Sequence, residues 1–120
     1  MSLRTPPLGT EHANAGAKLT AFGGWEMPVE FDSIRTEHAA VREAVGKFDV
    51  SHMGEIEVSG PDATELMNRL TTNDVDDLAP GDAQYSAVTN QEGVMLDDTV
   101  VYRLPDAETS DADYLFVPNA

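Results

Sequence analysis

Residues 84–104, QYSAVTNQEGVMLDDTVVYRL, constrain the fold more than any other part of the chain. Two runs rich in β-branched and aromatic residues flank Asn90-Gln91-Glu92-Gly93, a pattern that predicts an antiparallel hairpin. An isolated hairpin is marginal in water and needs a layer against one face. Just upstream, Gly60-Pro61 opens a predicted helix with Pro61 at its first position. Ala63, Leu66, Met67 and Leu70 fall at the i, i+3, i+4, i+7 spacing of a buried stripe. EIEVS before that helix alternates Ile56 and Val58, and YLFVP follows the polar loop PDAETSDAD. From Glu55 onward the order is strand, helix, strand, strand, strand. This predicts an α+β fold, an antiparallel or mixed sheet with helices on one face, resembling an incomplete split βαβ plait.

Upstream of Glu55 the signals are weaker. Asp32 or Ser33 can cap a helix whose Ile34, His38, Val41 and Val45 share a face, with Gly46 as the left-handed C′ residue. KFDVS, with Phe48 and Val50 alternating, reads as a short strand ahead of a turn at Ser51–Gly54. Residues 1–30 carry Pro6, Pro7, Gly9, Gly16, Gly23, Gly24 and Pro28, which predicts an irregular arm with one helical turn around Glu11 to Ala17. The expected organisation is therefore an arm over 1–30 and a domain over 31–120. The last strand runs into Asn119-Ala120, where Asn suits the cap of a further helix, so the chain is expected to be part of a longer protein.

Composition narrows the function classes. Across 120 residues, 22 acidic side chains oppose 7 basic ones, a net charge of −15. Such a surface repels phosphate backbones and anionic lipid headgroups, which argues against nucleic-acid and membrane partners. No apolar run approaches the ~20 residues that span a bilayer, and the N-terminal residues lack the apolar core of a signal peptide. The absence of cysteine excludes disulfides, thiolate metal sites and a thiol nucleophile. A cytoplasmic location is expected. The acids recur along the chain, from Glu37 and Glu43 through Asp74, Asp76 and Asp77 to the Asp106–Asp113 loop, while lysine occurs only at Lys18 and Lys47.

Asp97-Asp98 is the most informative pair. Side chains alternate along a strand, so the two carboxylates face opposite ways. Asp98 shares its face with Leu96, Val100 and Tyr102, and Asp97 shares the more mixed face of Met95, Thr99, Val101 and Arg103. If the more apolar face points inward, Asp98 is a carboxylate on a core or pocket surface, with a raised pKa suited to proton chemistry or to holding a ligand nitrogen. More simply, Asp98 accepts backbone hydrogen bonds near the hairpin. His12, His38 and His52 are too scattered for a metal site. His38 is expected to be partly buried on its helix, and His52 to make a structural hydrogen bond in its turn. Gly23-Gly24 lacks the context of a phosphate loop, and Ser51-His52 lacks the geometry of a triad. Met53 suits a core or the wall of a flat-ligand pocket. Tyr85 is strand filler unless it faces Asp98 across the ladder.

Several segments together resemble one family. RTPPLGTEH, GAKLTAFGGWEMPVEF, HAAVREAVGKFDVSHMGEIEVSGPDA, LTTNDVDDLAPGDAQYS and the DDxVVYRL strand are similar, in order and spacing, to the N-terminal region of aminomethyltransferase, the T-protein of the glycine cleavage system. The resemblance runs from Arg4 to Ala120 and departs from the family's pattern at Val94, Thr99 and Pro118. It implies the N-terminal part of the aminomethyltransferase folate-binding fold. It also implies transfer of the aminomethyl carbon from the dihydrolipoyl arm of H-protein to tetrahydrofolate, with ammonia released and 5,10-methylenetetrahydrofolate formed. Lipoylated H-protein is then the partner, tetrahydrofolate the acceptor substrate, and no metal is needed. By the same resemblance, Asp98 lies near N10 of the folate as the catalytic carboxylate. Met53, Tyr85, Val100, Tyr102 and Asn119 match positions lining or approaching the folate pocket. Family members are considerably longer, so this piece alone is expected to be inactive.

Two alternatives stay open at this point: a different folate-dependent one-carbon transferase or demethylase of the same superfamily, and a non-catalytic acidic interaction domain. The spread of acidic charge itself predicts adaptation to a high-salt cytoplasm, where the screening length shrinks to ~3 Å at 1 M salt and self-repulsion fades. The melting temperature followed by circular dichroism is expected to rise as potassium chloride increases from ~0.1 M to ~1 M; a melting temperature indifferent to the salt contradicts the adaptation.

Overall fold

The computed structural model describes residues 2–105 and 112–119, so most of the polar loop predicted after Leu104 lies outside the described residues. The chain divides into two compact units, Met1–His52 and Met53–Ala120. Among the described residues no helix is long and apolar enough to cross a membrane.

The first unit is more regular than its glycines and prolines suggest. Helix α1 spans Gly9–Asn14, and strands β1 (Lys18–Phe22) and β2 (Trp25–Glu30) form an antiparallel hairpin in place of the expected irregular arm. The reason is the Gly23-Gly24 turn. Both residues take positive φ, 56° and 86°, as a two-residue hairpin loop of the primed type requires. Arg4 extends the pair, donating its amide to Gly24 and accepting from Glu26 at 2.9 and 2.8 Å, while its guanidinium stacks 4.4 Å over Trp25. Lys18 and Glu30 close the far end as an ion pair.

Helix α2 covers Ile34–Glu43 and is capped by Ser33, whose hydroxyl accepts from the Thr36 amide at 3.2 Å. Its C-terminus differs from expectation. Ala44 ends the helix outside both the helical and the extended regions (φ −143°, ψ −105°), and Gly46 is not left-handed. Gly46 is instead a close approach, since a Cβ there would stand 2.5 Å from a Val41 methyl. No residue of α2 is buried, and His38, expected to be half-buried, is exposed. KFDVS forms no strand. The Asp49 carboxylate captures the Ser51 amide at 2.8 Å, a local turn that bends the chain away from extended pairing.

The second unit is a four-stranded antiparallel sheet of β3 (Ile56–Val58), β4 (Ala83–Thr89), β5 (Met95–Arg103) and β6 (Tyr114–Pro118), with helix α3 (Ala63–Leu70) packed on it. The α+β class and the predicted hairpin hold. The strand order is β3-β6-β5-β4, which is not that of a split plait. A split plait needs β5 between β3 and β4. Here β6 returns directly alongside β5 and takes that place beside β3, giving a Greek-key order. Helix α3 starts at Ala63 instead of Pro61, because Gly60 (φ 111°) and the Gly60–Ala63 turn hold the chain out of the helix for two more residues.

The core lies between α3 and one sheet face. Met67, Val75 and Val101 are fully buried with Ala63, Leu78 and Tyr114, and Val58 and Phe116 pack at the margin. Tyr114 reaches across the layers to Thr64, 2.9 Å between hydroxyls. Leu66, predicted as part of the buried stripe, is 45 % exposed. Replacing Met67 with Ala is expected to destabilise the chain by about 2–5 kcal/mol, measured by urea denaturation; a loss below ~1 kcal/mol would place the core elsewhere.

Candidate functional site

Strand β5 fixes which way its aspartates point. Thr99 and Val101 turn into the core, at 2 % and 0 % exposure. By alternation Asp98, Val100 and Tyr102 take the opposite face. The sequence expectation of this face as the interior is therefore inverted: within this unit the core lies on the other side. Register adds Ala83, Tyr85 and Ala87 of β4 to this outer face, with Leu115 and Val117 of β6. The result is a largely apolar surface with a carboxylate at one end.

Four of the six predicted residues converge at that end. The Asp98 carboxylate accepts from the Tyr85 hydroxyl at 2.6 Å through one oxygen and from the Asn119 side-chain amide at 3.0 Å through the other. Asn119 pairs through its backbone with Met53 in an isolated antiparallel bridge, and Gly54 donates to the Pro118 carbonyl at 2.7 Å beside it. Val100 lies directly opposite Tyr85 in register, on the same face. Tyr102 sits further along, opposite Ala83.

The electrostatics differ from the expected raised pKa. The Tyr85 hydroxyl, and after it the Asn119 amide, hold the Asp98 carboxyl below the usual carboxylate range, outweighing the small cost of burial. The same hydrogen bond pushes the Tyr85 phenol above its ordinary value. At neutral pH the pair is a carboxylate beside a protonated phenol. Such a site accepts hydrogen bonds and steadies positive charge; it does not deliver protons.

The TTND segment holds this arrangement from the sheet edge. The Thr72 and Asn73 amides both donate to the buried Ser86 hydroxyl at 3.0 Å, and Asn73 Nδ2 donates to the Tyr85 carbonyl at 2.5 Å. Ser86, Thr72 and Asn73 were not singled out from sequence. Their signal was the polar TTN run ahead of a strand, where short side chains bond to backbone.

A second polar centre, also missed, belongs to the first unit. His12 Nε2 lies 3.0 Å from Asp49 Oδ2, both side chains 7 % exposed. Burial works against the Asp49 carboxylate, but the Ser51 hydroxyl and amide and the charges of His12 and His52 overcome it and hold the pKa low. His52 packs edge-on against Phe22, ring centres 5.1 Å apart, and its buried Nδ1 makes no hydrogen bond, contrary to expectation. Among the described residues no three His, Asp or Glu side chains are placed to hold a metal. A groove of about 630 Å³ in this unit, lined by Phe31, Ile34, Val41 and Phe48 among others, contains none of the six predicted residues.

Residues 8–116 match the family described as GCVT N-terminal domain. The chain belongs to the aminomethyltransferase T-protein family. It is 75 % identical over its whole length to a probable aminomethyltransferase of Natronomonas pharaonis, and covers 32 % of that protein. The aminomethyltransferase of Desulforamulus reducens is 52 % identical over 98 % of the chain, which covers 31 % of that relative. The crystal structure of glycine cleavage system aminomethyltransferase T from Bartonella henselae superposes with a TM-score of 0.80 at 34 % identity, over 99 % of this chain and 32 % of that one. The chain thus spans about a third of the length of these T-protein relatives. Further relatives from Halobacterium salinarum and Haloarcula marismortui, 68 % and 63 % identical, accompany the acidic composition.

Tyr85→Phe removes the largest influence on Asp98. Because that hydrogen bond stabilises the charged form, the carboxyl is expected to titrate at higher pH in the variant, followed by the 13C shift of Asp98. An unmoved midpoint contradicts the assignment.

Proposed function

We propose that the polypeptide carrying this sequence transfers the aminomethyl carbon from the dihydrolipoyl arm of H-protein to tetrahydrofolate in the cytoplasm. Ammonia is released and 5,10-methylenetetrahydrofolate is formed. The carbon exchanges its bonds to sulfur and to the departing amine for bonds to two folate nitrogens. The two protons those nitrogens lose leave on the thiol and the ammonia.

The observation that carries this proposal is the Asp98 carboxylate, kept ionised by Tyr85 and Asn119 at the end of an apolar sheet face. A flat pterin can lie on Val100 and Tyr102, with Met53 at the margin, and a folate nitrogen can meet the carboxylate. Folate N10 is a weak nucleophile, so rate comes from holding it in line and stabilising the positive charge that develops there. A fixed anion does both without changing its own protonation. With Asp98, the residues Met53, Tyr85, Val100, Tyr102 and Asn119 form this chain's share of the pocket in the proposal. A chain a third the length of its relatives supplies only part of the pocket, and alone it is expected to be inactive.

Asp98→Asn keeps the shape and removes the charge. In the natural polypeptide that carries this sequence, kcat with aminomethyl-loaded H-protein is expected to fall by roughly two to four orders of magnitude. Near-normal turnover would refute the role of Asp98. Turnover with methylated amines in place of the loaded H-protein would instead identify a demethylase.

A further inference from the structure

The first carboxylate of the pair, Asp97, is bound more extensively than Asp98. Its Oδ2 accepts the Asn119 backbone amide at 2.9 Å. Its Oδ1 accepts the Asn119 side-chain amide at 2.6 Å and the Asp98 backbone amide at 2.9 Å. A β-bulge stands directly before it: Val88 pairs with Asp97 and Thr89 with Met95, leaving Leu96 as the extra residue. Bulges of this kind re-aim the side chains that follow them. Alternation would send Asp97 and Asp98 to opposite faces, yet both reach the same side-chain nitrogen.

That nitrogen has two protons, one for each aspartate. Turning the amide over would place its oxygen against two carboxylates, so charge settles the orientation. Nδ2 is fully committed and Oδ1 is left as the acceptor atom of Asn119. The Tyr85 proton is likewise committed to Asp98. We infer that Asp97 is a positioning residue that locks Asn119 with its carbonyl oxygen available to the ligand, making this end of the site accept hydrogen bonds only and select a ligand that brings N–H donors. The inference rests on the folate-dependent reaction proposed above and deepens it. Asp97 does not touch the ligand; it acts through Asn119.

The test is a double-variant cycle in the natural polypeptide, with KM for tetrahydrofolate and kcat measured separately. Asp97→Ala is expected to raise KM about tenfold with kcat changed less than about threefold, the pattern of a lost binding contact. Asp97→Asn, which keeps one accepting oxygen, falls between Asp97→Ala and the parent. Asn119→Ala raises KM by a similar factor, and adding Asp97→Ala to it raises KM by less than about twofold more. Multiplying effects in the double variant overturn the inference. So does a fall in kcat at unchanged KM, which reports only a smaller folded fraction. If Asp97→Ala fails to fold by circular dichroism, Asp97→Asn combined with Asn119→Ala closes the same cycle. Asp98→Asn, measured alongside, separates the two proposals. Absence of tetrahydrofolate-dependent turnover in the parent sinks the folate reaction itself, full activity of Asp98→Asn sinks only the role of Asp98, and an inactive Asp98→Asn with unaltered Asp97 variants sinks only the positioning role.

Discussion

Burial of Val101 against Met67 and Tyr114 is the contact on which the second unit turns. It joins the middle of β5 to α3 and to β6, and its reach extends beyond packing. A strand has a two-residue period, so placing Val101 and Thr99 in the core obliges Asp98, Val100 and Tyr102 to take the other face. Register with β4 then brings Tyr85 beside Val100, one step from Asp98. Apolar packing on one side of the sheet thereby sets a polar constellation on the other.

That constellation is organised around charge. Two adjacent carboxylates in a chain of net charge −15 would ordinarily repel and spread apart. Instead the Asn119 amide stands between them and neutralises part of the repulsion by donating to both. Tyr85 completes the shell of Asp98 and, with Asn119, holds its carboxyl below the usual carboxylate range. The first unit solves a comparable problem differently. There Asp49 is enclosed, and its charge is balanced by Ser51 donors and by His12 and His52.

The hairpin around Asn90–Gly93, the α3 stripe and β6 were legible because their apolar period and turn residues agree with the final packing. The Asp98 site was legible only in part. Alternation predicted that the Asp97 and Asp98 carboxylates part, whereas both reach Asn119 Nδ2, and the choice of interior depended on where α3 docks, which no local pattern states. The Leu96 bulge was equally hidden, since one unpaired residue leaves no mark on composition. In the first unit the Gly23-Gly24 pair between two apolar runs was a readable hairpin signal, obscured by the surrounding prolines and glycines. The His12–Asp49 contact joins residues 37 positions apart and had no local signature. The strand order departs from a split plait because β6 pairs with both β5 and β3, a placement between distant segments that no local pattern states.

The belt of Thr71–Asn73 along β4 has one more consequence. An outer strand exposes a row of backbone groups that can recruit a second molecule, and acidic proteins commonly rely on mutual repulsion to prevent it. In concentrated salt that repulsion reaches only a few ångströms and apolar association strengthens. The Thr71–Val88 bridge and the Thr72 amide bonded to Ala87 occupy part of that edge with the chain's own backbone. Protection of this kind is steric, and it persists at salt concentrations where charge no longer keeps neighbouring molecules apart.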